Sequence, residues 1–301
     1  MTSNCQLAVL EDVPRLGRYV YFSVASSQPD AVRQSLTRLA GLVDGVQVLV
    51  GLGPELVQLL GASVPGLRGF IALIGPGVAV PATPAALCCW LRGDDRGELL
   101  HRTRQLQKAL APGLRPEQIV DAFRYGRGPN GHGRDLTGYE DGTENPVGDA
   151  ASAAALVQAA GPGLDGSSFM VVQQWRHDLD AFEAMSTAAQ DHTFGRRRAD
   201  NQELDAAPES AHVKRTAQEG FSPAAFVLRR SMPWADADRA GLMFVAFGHS
   251  FDAFEVLMRH MTGLDDGVVD GLFGISRPLT GANFWCPPML LGRLDLRQLG
   301  L

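Results

Sequence analysis

Residues 86–110 read ALCCWLRGDDRGELLHRTRQLQKAL. Residues 86–92 read as a strand and residues 96–110 as a helix. Outward from this stretch, residues 19–25 and 46–50 read as strands around an amphipathic helix at 29–42, and residues 119–125 read as a closing strand. Apart from a short extra helix near 54–60, the first half therefore has the order β-α-β-β-α-β. A related pattern follows in the second half. Residues 169–175 read as a strand, 179–190 as a helix, 226–232 and 242–248 as strands, and 251–261 as a helix with apolar residues at helical spacing. The expected fold is α+β: two ferredoxin-like units, each an antiparallel β-sheet with helices on one face. The expected domains are 1–130 and 131–301, with the boundary inside the glycine-rich segment 125–150.

The chain has 301 residues, 45% of them hydrophobic, which is enough for two moderate cores. Its formal charge of -6 gives no basic surface for a nucleic-acid or anionic-membrane partner. The longest apolar stretch, 70–82, is too short to span a bilayer and is broken by Gly75, Pro76 and Gly77. Residues 1–12 lack the basic and apolar regions of a signal peptide. Cys5, Cys88, Cys89 and Cys286 have neither CxxC nor Cys/His spacing, which argues against a zinc site or a dithiol redox centre. These features predict a soluble, cytoplasmic protein with reduced thiols.

Familiar nucleotide and hydrolase motifs are poorly supported. Gly51-Leu52-Gly53 follows a strand, but the third glycine position of a dinucleotide loop is Leu56. Gly248-His249-Ser250 lacks the second glycine of a nucleophile elbow. Long irregular segments are often functional when ordered, which directs attention to 125–150 and to 195–222. Within the first, Gly138-Tyr139-Glu140-Asp141-Gly142-Thr143-Glu144-Asn145-Pro146 sets three acids among glycines. By composition this is a surface turn, a calcium loop of unusual spacing, or a carboxylate on a backbone that lets a large planar ligand come close.

Gly138 to Gly142 matches a G-x-x-D-G pattern and resembles the motif of dye-decolorizing peroxidases, as do the flanking Asp135-Leu136-Thr137 and Thr143-Glu144-Asn145-Pro146. The resemblance continues in order through Val171-Val172-Gln173, His177-Asp178-Leu179-Asp180, Ser210-Ala211-His212-Val213, Leu228-Arg229-Arg230-Ser231-Met232-Pro233 and Ser276-Arg277-Pro278-Leu279-Thr280-Gly281. It covers nearly the whole chain, is specific after about Arg124, and the compact length is similar to that of the bacterial B-type group.

The resemblance implies one haem b per chain with His212 as the proximal iron ligand. It implies Asp141 and Arg229 as the catalytic pair, with Ser231 in a secondary role at a position where the family often carries asparagine. Arg229, Gly142, Thr143 and Glu144 are the implied cofactor contacts beside His212. Arg230 and the triple Arg196-Arg197-Arg198 are candidates for the haem propionates, against a solvated charge run for the triple. His177, at a strand-to-helix junction, reads as structural. The implied reaction is reduction of hydrogen peroxide coupled to one-electron oxidation of small organic donors such as dyes, phenols or porphyrins. A haem-binding or transfer protein, or an enzyme releasing haem iron, is the alternative. Relatives of this kind commonly assemble, so a homo-oligomer is expected.

Overall fold

The computed structural model describes residues 4–301. Its first half contains β1 (Leu16–Val24), α1 (Pro29–Ala40), β2 (Val48–Leu52), α2 (Pro54–Leu59), a hairpin of β3 (Leu73–Gly75) and β4 (Val78–Val80), β5 (Leu87–Gly93), α3 (Arg96–Leu110) and β6 (Leu114–Phe123). The second half contains α4 (Asp149–Ala155), β7 (Ser168–His177), α5 (Leu179–Glu183), α6 (Thr187–Phe194), α7 (His212–Arg215), β8 (Leu228–Arg229), β9 (Met232–Asp236), β10 (Arg239–Gly248), α8 (Asp252–Met261), β11 (Ser276–Pro278), β12 (Ala282–Cys286) and a terminal hairpin of β13 (Met289–Leu290) and β14 (Arg293–Leu294).

Local chemistry sets several of these boundaries. Helix α3 starts where the Asp95 carboxylate accepts a hydrogen bond from the Glu98 amide. The single helix expected over 179–190 is two helices. Asp178 caps the first, and Ser186 caps a second that runs on to Phe194 and stops at Gly195, whose φ is 80°. The strand expected over 226–232 begins only at Leu228, and the exposed Phe226 lies outside it.

The four strands of the first half lie in the order β6-β1-β5-β2, and β12-β7-β10-β9 is the corresponding order in the second, all antiparallel. The two sheets are not separate. Leu52 pairs with Trp285 at one seam and Ala122 with Trp234 at the other, so eight strands close into a barrel-like ring. Closure removes the sheet edges that separate units would expose. It also explains why residues 86–91 are apolar without a break: strands buried on both faces have no polar side to show.

Side chains from alternate positions fill the ring. Tyr19 stacks on Trp90 inside it at 5.7 Å between ring centroids, with Met170, Trp234, Phe247 and Phe284 around them. All four tryptophans are buried, as core packing requires. On the outer face, Leu36 and Leu39 of α1 and Leu99 and Leu106 of α3 cover the first half. Burial of each such leucine contributes about 2 kcal/mol. Helix α8 takes the equivalent position over the second half, but a cavity separates much of it from the sheet.

Candidate active site

The cavity has about 1020 Å³ of empty space, part of it continuous with solvent. Its walls follow directly from secondary-structure periodicity. Strand β7 offers Gln173, Trp175 and His177, which share one face, and β10 offers Leu242 and Phe244. Helix α8 presents Phe254, Leu257, Met258 and Met261, spaced as one helical stripe. Asp141, His212 and Arg229 are among the other lining residues, so residues far apart in sequence meet in one space.

His212 lies at the first position of α7. Its Nδ1 is 2.7 Å from Oδ2 of Asp270, a wholly buried carboxylate. The other oxygen of Asp270 accepts from the Leu272 amide at 2.8 Å, so the carboxylate is fixed before it meets the imidazole. With Nδ1 engaged, Nε2 has no hydrogen-bond partner among the described residues. Sequence reasoning missed Asp270; its Asp-Gly context reads only as a turn.

Arg229 is held by its backbone. The Asn145 side chain donates from Nδ2 to the Arg229 carbonyl at 3.0 Å and accepts the Arg229 amide on Oδ1 at 2.8 Å. Asn145 follows Asp141 by four residues, so one amide side chain ties the carboxylate segment to the arginine strand. Arg229 Nε is buried without a partner, as are the Nε atoms of Arg92, Arg134, Arg215 and Arg230. The pairing of 229 with 246 and of 232 with 243 keeps one register through the gap between β8 and β9. Arg229 and Ser231 therefore share a face, with Arg230 on the other. Ser231 nevertheless borders a neighbouring cavity, and its hydroxyl accepts from the Val245 amide at 3.4 Å.

Gly142, Thr143 and Glu144 line a third, adjoining cavity that also reaches Asp141, Arg229 and His212. There Arg196 donates to Glu144 at 2.6 Å and lies 3.3 Å from Glu203. Of the other arginines of the triple, Arg197 is exposed and pairs with Asp200 at 2.7 Å. Arg230 turns elsewhere, donating to the carbonyls of Leu10 at 2.6 Å and Arg229 at 3.1 Å.

His177 is a wall of the cavity as well as a structural residue. Its Nε2 is 3.0 Å from Asp135 Oδ1 and its Nδ1 is 2.7 Å from Ser276 Oγ. Thr137 donates to the other Asp135 oxygen from its hydroxyl at 2.6 Å and its amide at 3.1 Å. Burial pushes the Asp135 carboxyl up, but the bond and charge of His177 and the Thr137 donors outweigh it and leave the carboxyl below its ordinary value. Four residues after Asp135, the Tyr139 ring stacks on Phe194 at 3.9 Å and its hydroxyl donates to Asp191. Burial first, and then the Asp191 carboxylate, push the Tyr139 phenol well above its usual value. These anchors fix the start of the segment that carries Asp141.

The chain and its closed ring of strands are similar to known proteins. The family described as Dyp-type peroxidase, C-terminal, matches residues 132–290, and the chain belongs to that family. It is 27% identical to the dye-decolorizing peroxidase of Rhodococcus erythropolis over 89% of this chain and 82% of that protein. The structure of a putative Dyp-type peroxidase from Shewanella oneidensis superposes with a TM-score of 0.84 at 26% identity, covering 99% of this chain and 98% of the other. A variant of DypB from Rhodococcus jostii in complex with heme superposes with a TM-score of 0.82 at 27% identity, covering 93% and 95%.

Proposed function

We propose that the chain is a haem peroxidase that would bind one haem b in the cavity, with His212 Nε2 holding the iron and Asp141 and Arg229 acting on hydrogen peroxide. The residues present fit that group. The cavity is of cofactor size and largely apolar, with a few convergent polar groups. The observation that carries the reading is the His212–Asp270 pair, because a carboxylate on one imidazole nitrogen fixes the tautomer and makes the other a stronger metal donor. The buried, unpartnered Nε of Arg229 is a donor in need of an acceptor.

Haem bound there supplies the redox chemistry, reduction of peroxide and one-electron oxidation of organic donors. Asp141 takes a proton from hydrogen peroxide and returns it to the departing oxygen, which leaves as water. Arg229 holds the negative charge that develops on that oxygen. Asn145 fixes Arg229 through its backbone, so the guanidinium needs little reorganisation when the charge appears. Gly142, Thr143 and Glu144 would flank the cofactor, a role supported by their lining of the adjoining cavity, and Arg196, the one arginine of its triple in that lining, would meet a propionate. Ser231 has a secondary role at the edge of the peroxide side.

The strand orders β6-β1-β5-β2 and β12-β7-β10-β9 support reading each half as a ferredoxin-like unit, with the division near residue 131. Among the described residues no helix is long and apolar enough to cross a membrane. Cys88, Cys89 and Cys286 are buried thiols whose acidity burial suppresses, which fits a reducing, cytoplasmic setting. A homo-oligomer of such chains fits the same reading.

The test is the visible spectrum of the haem-loaded protein before and after one equivalent of hydrogen peroxide, for the wild type and His212→Ala. A Soret band that shifts rapidly with peroxide, and is weakened or altered in the variant, is the expected result. A band indifferent to peroxide would make the protein a haem carrier, and no band at all would overturn the reading.

A further inference from the structure

A second cavity, of about 810 Å³ of empty space open in part to solvent, meets the first at Asp141, Arg229 and Leu242. Its walls come from the loop after β6, the N-terminal segment and the start of β9. Five arginines line it, Arg124, Arg127, Arg134, Arg229 and Arg230, with His132, against only two aspartates, Asp12 and Asp141. Among the described residues none of the five makes an ion pair, although ten other arginines of this chain do. Arg230 is 9% exposed, and its hydrogen bonds go to two backbone carbonyls and to no carboxylate. The Nε atoms of Arg134, Arg229 and Arg230 are all buried without partners.

Buried guanidinium charge is costly unless an anion completes it. Burial pulls the Arg230 pKa down, and the nearby Arg92 adds to this while Asp12 opposes it. A cleft of one sign with low-dielectric walls also concentrates counter-ions, and charges within it are screened less than surface charges. The rest of the lining comprises the apolar or aromatic Val13, Tyr125, Pro233 and Leu242, three glycines, and the neutral polar side chains of Asn145 and Ser231. Tyr125 is 45% exposed, which leaves its ring available at the mouth. The arginine-bearing loop is itself anchored, because Glu140 Oε1 accepts from the Asn130 amide at 2.8 Å and Gly128 lies against the Glu140 side chain too closely for any larger residue.

We propose that this cavity binds an organic anion, an aromatic carboxylate, with its carboxylate on the arginines and its ring against Tyr125 and Pro233, beside Asp141. Arginine suits the task because its planar fork matches a carboxylate in two parallel hydrogen bonds. The site gives the enzyme an anionic class of electron donor. That role rests on the peroxidase reading, whereas the binding itself does not.

The experiment is calorimetric titration of the haem-loaded protein with sodium benzoate, and with neutral benzamide as its isostere, at constant ionic strength. The expected result is saturable binding of benzoate over benzamide, weakened roughly tenfold in Arg127→Gln and further in the Arg124→Gln, Arg127→Gln double variant, as loss of charge-assisted hydrogen bonds implies. Both substitutions are at exposed positions, and an unchanged Soret band in the variants keeps the comparison to the anion site. Equal affinity for the two ligands, no saturable binding, or full benzoate affinity in the double variant would overturn the proposal. Selective, arginine-dependent benzoate binding by protein whose haem band ignores peroxide would support the site while the peroxidase reading failed.

Discussion

Oδ2 of Asp270 lies 2.7 Å from Nδ1 of His212, and the carboxylate that makes this contact has no solvent exposure. A buried carboxylate with one firm partner in the imidazole and one in the Leu272 amide orients the ring and draws its proton to Nδ1. Asp270→Asn keeps an oxygen for the Leu272 amide but removes the charge. The expected outcome is about tenfold or more weaker haem binding, with a shifted reduction potential of the bound haem. Haem titration followed by the Soret band, with potentiometry, checks it. Unchanged affinity and potential would reduce Asp270 to an anchor for the Leu272 amide.

Asp141 and Arg229 should fail differently from His212. Asp141→Asn removes the proposed proton acceptor, and the reaction with peroxide should slow by roughly 10² or more while haem stays bound. Arg229→Leu removes the donor proposed to stabilise the developing charge, with an expected loss of about 10² to 10³ and a normal environment at His212. Stopped-flow mixing with peroxide reads the first step without any donor. Equal rates in wild type and both variants would remove these residues from the chemistry.

Much of this arrangement is legible in the amino-acid sequence, and the remainder is hidden for physical reasons. Helix α3 occupies the expected residues, with Asp95 as its cap in the structure, and the core strands of the first half carry long apolar runs. The 282–286 strand escapes notice because five residues, ANFWC, flanked by Gly281 and Pro287 give no period to count. The closing of two sheets into one ring is equally silent, since each seam rests on a single residue pair. Within the site, a motif marks the groups proposed to touch the reacting molecules. The residues that hold them, Asp270, Asn145 and Asp135, act across 58, 84 and 42 positions of sequence, and no local pattern encodes such distances.

Gly142 tests the link between the two sides of the pocket. Its φ is +77°, and a Cβ there would stand 2.9 Å from Asn145 Nδ2, the atom that donates to the Arg229 carbonyl. Gly142→Ala combines a left-handed backbone cost of about 1 kcal/mol with displacement of Asn145. A lowered melting temperature and a slower peroxide reaction are expected together. Asn145→Ala should reproduce the slower reaction without the backbone strain, and a normal rate in that variant would show that Arg229 is positioned by its strand alone.

Asp135 makes a prediction about acid stability whose sign follows from its depressed pKa. The carboxylate form is favoured in the folded protein by His177 and Thr137, against the opposing effect of burial. Its contribution is therefore complete above the ordinary aspartate value of about 4 and is lost as pH falls through the lower folded value. Asp135→Asn should destabilise the protein by roughly 2 kcal/mol near neutral pH, the size expected for hydrogen bonds to a charged group. The gap in melting temperature between wild type and variant should then narrow on the acid side of about pH 4, because the wild-type carboxyl also becomes neutral there. Paired melting curves across that range decide the matter. A gap of constant size would mean that the Asp135 contribution does not depend on its charge, and that His177 is held in the cavity wall by packing and Ser276 alone.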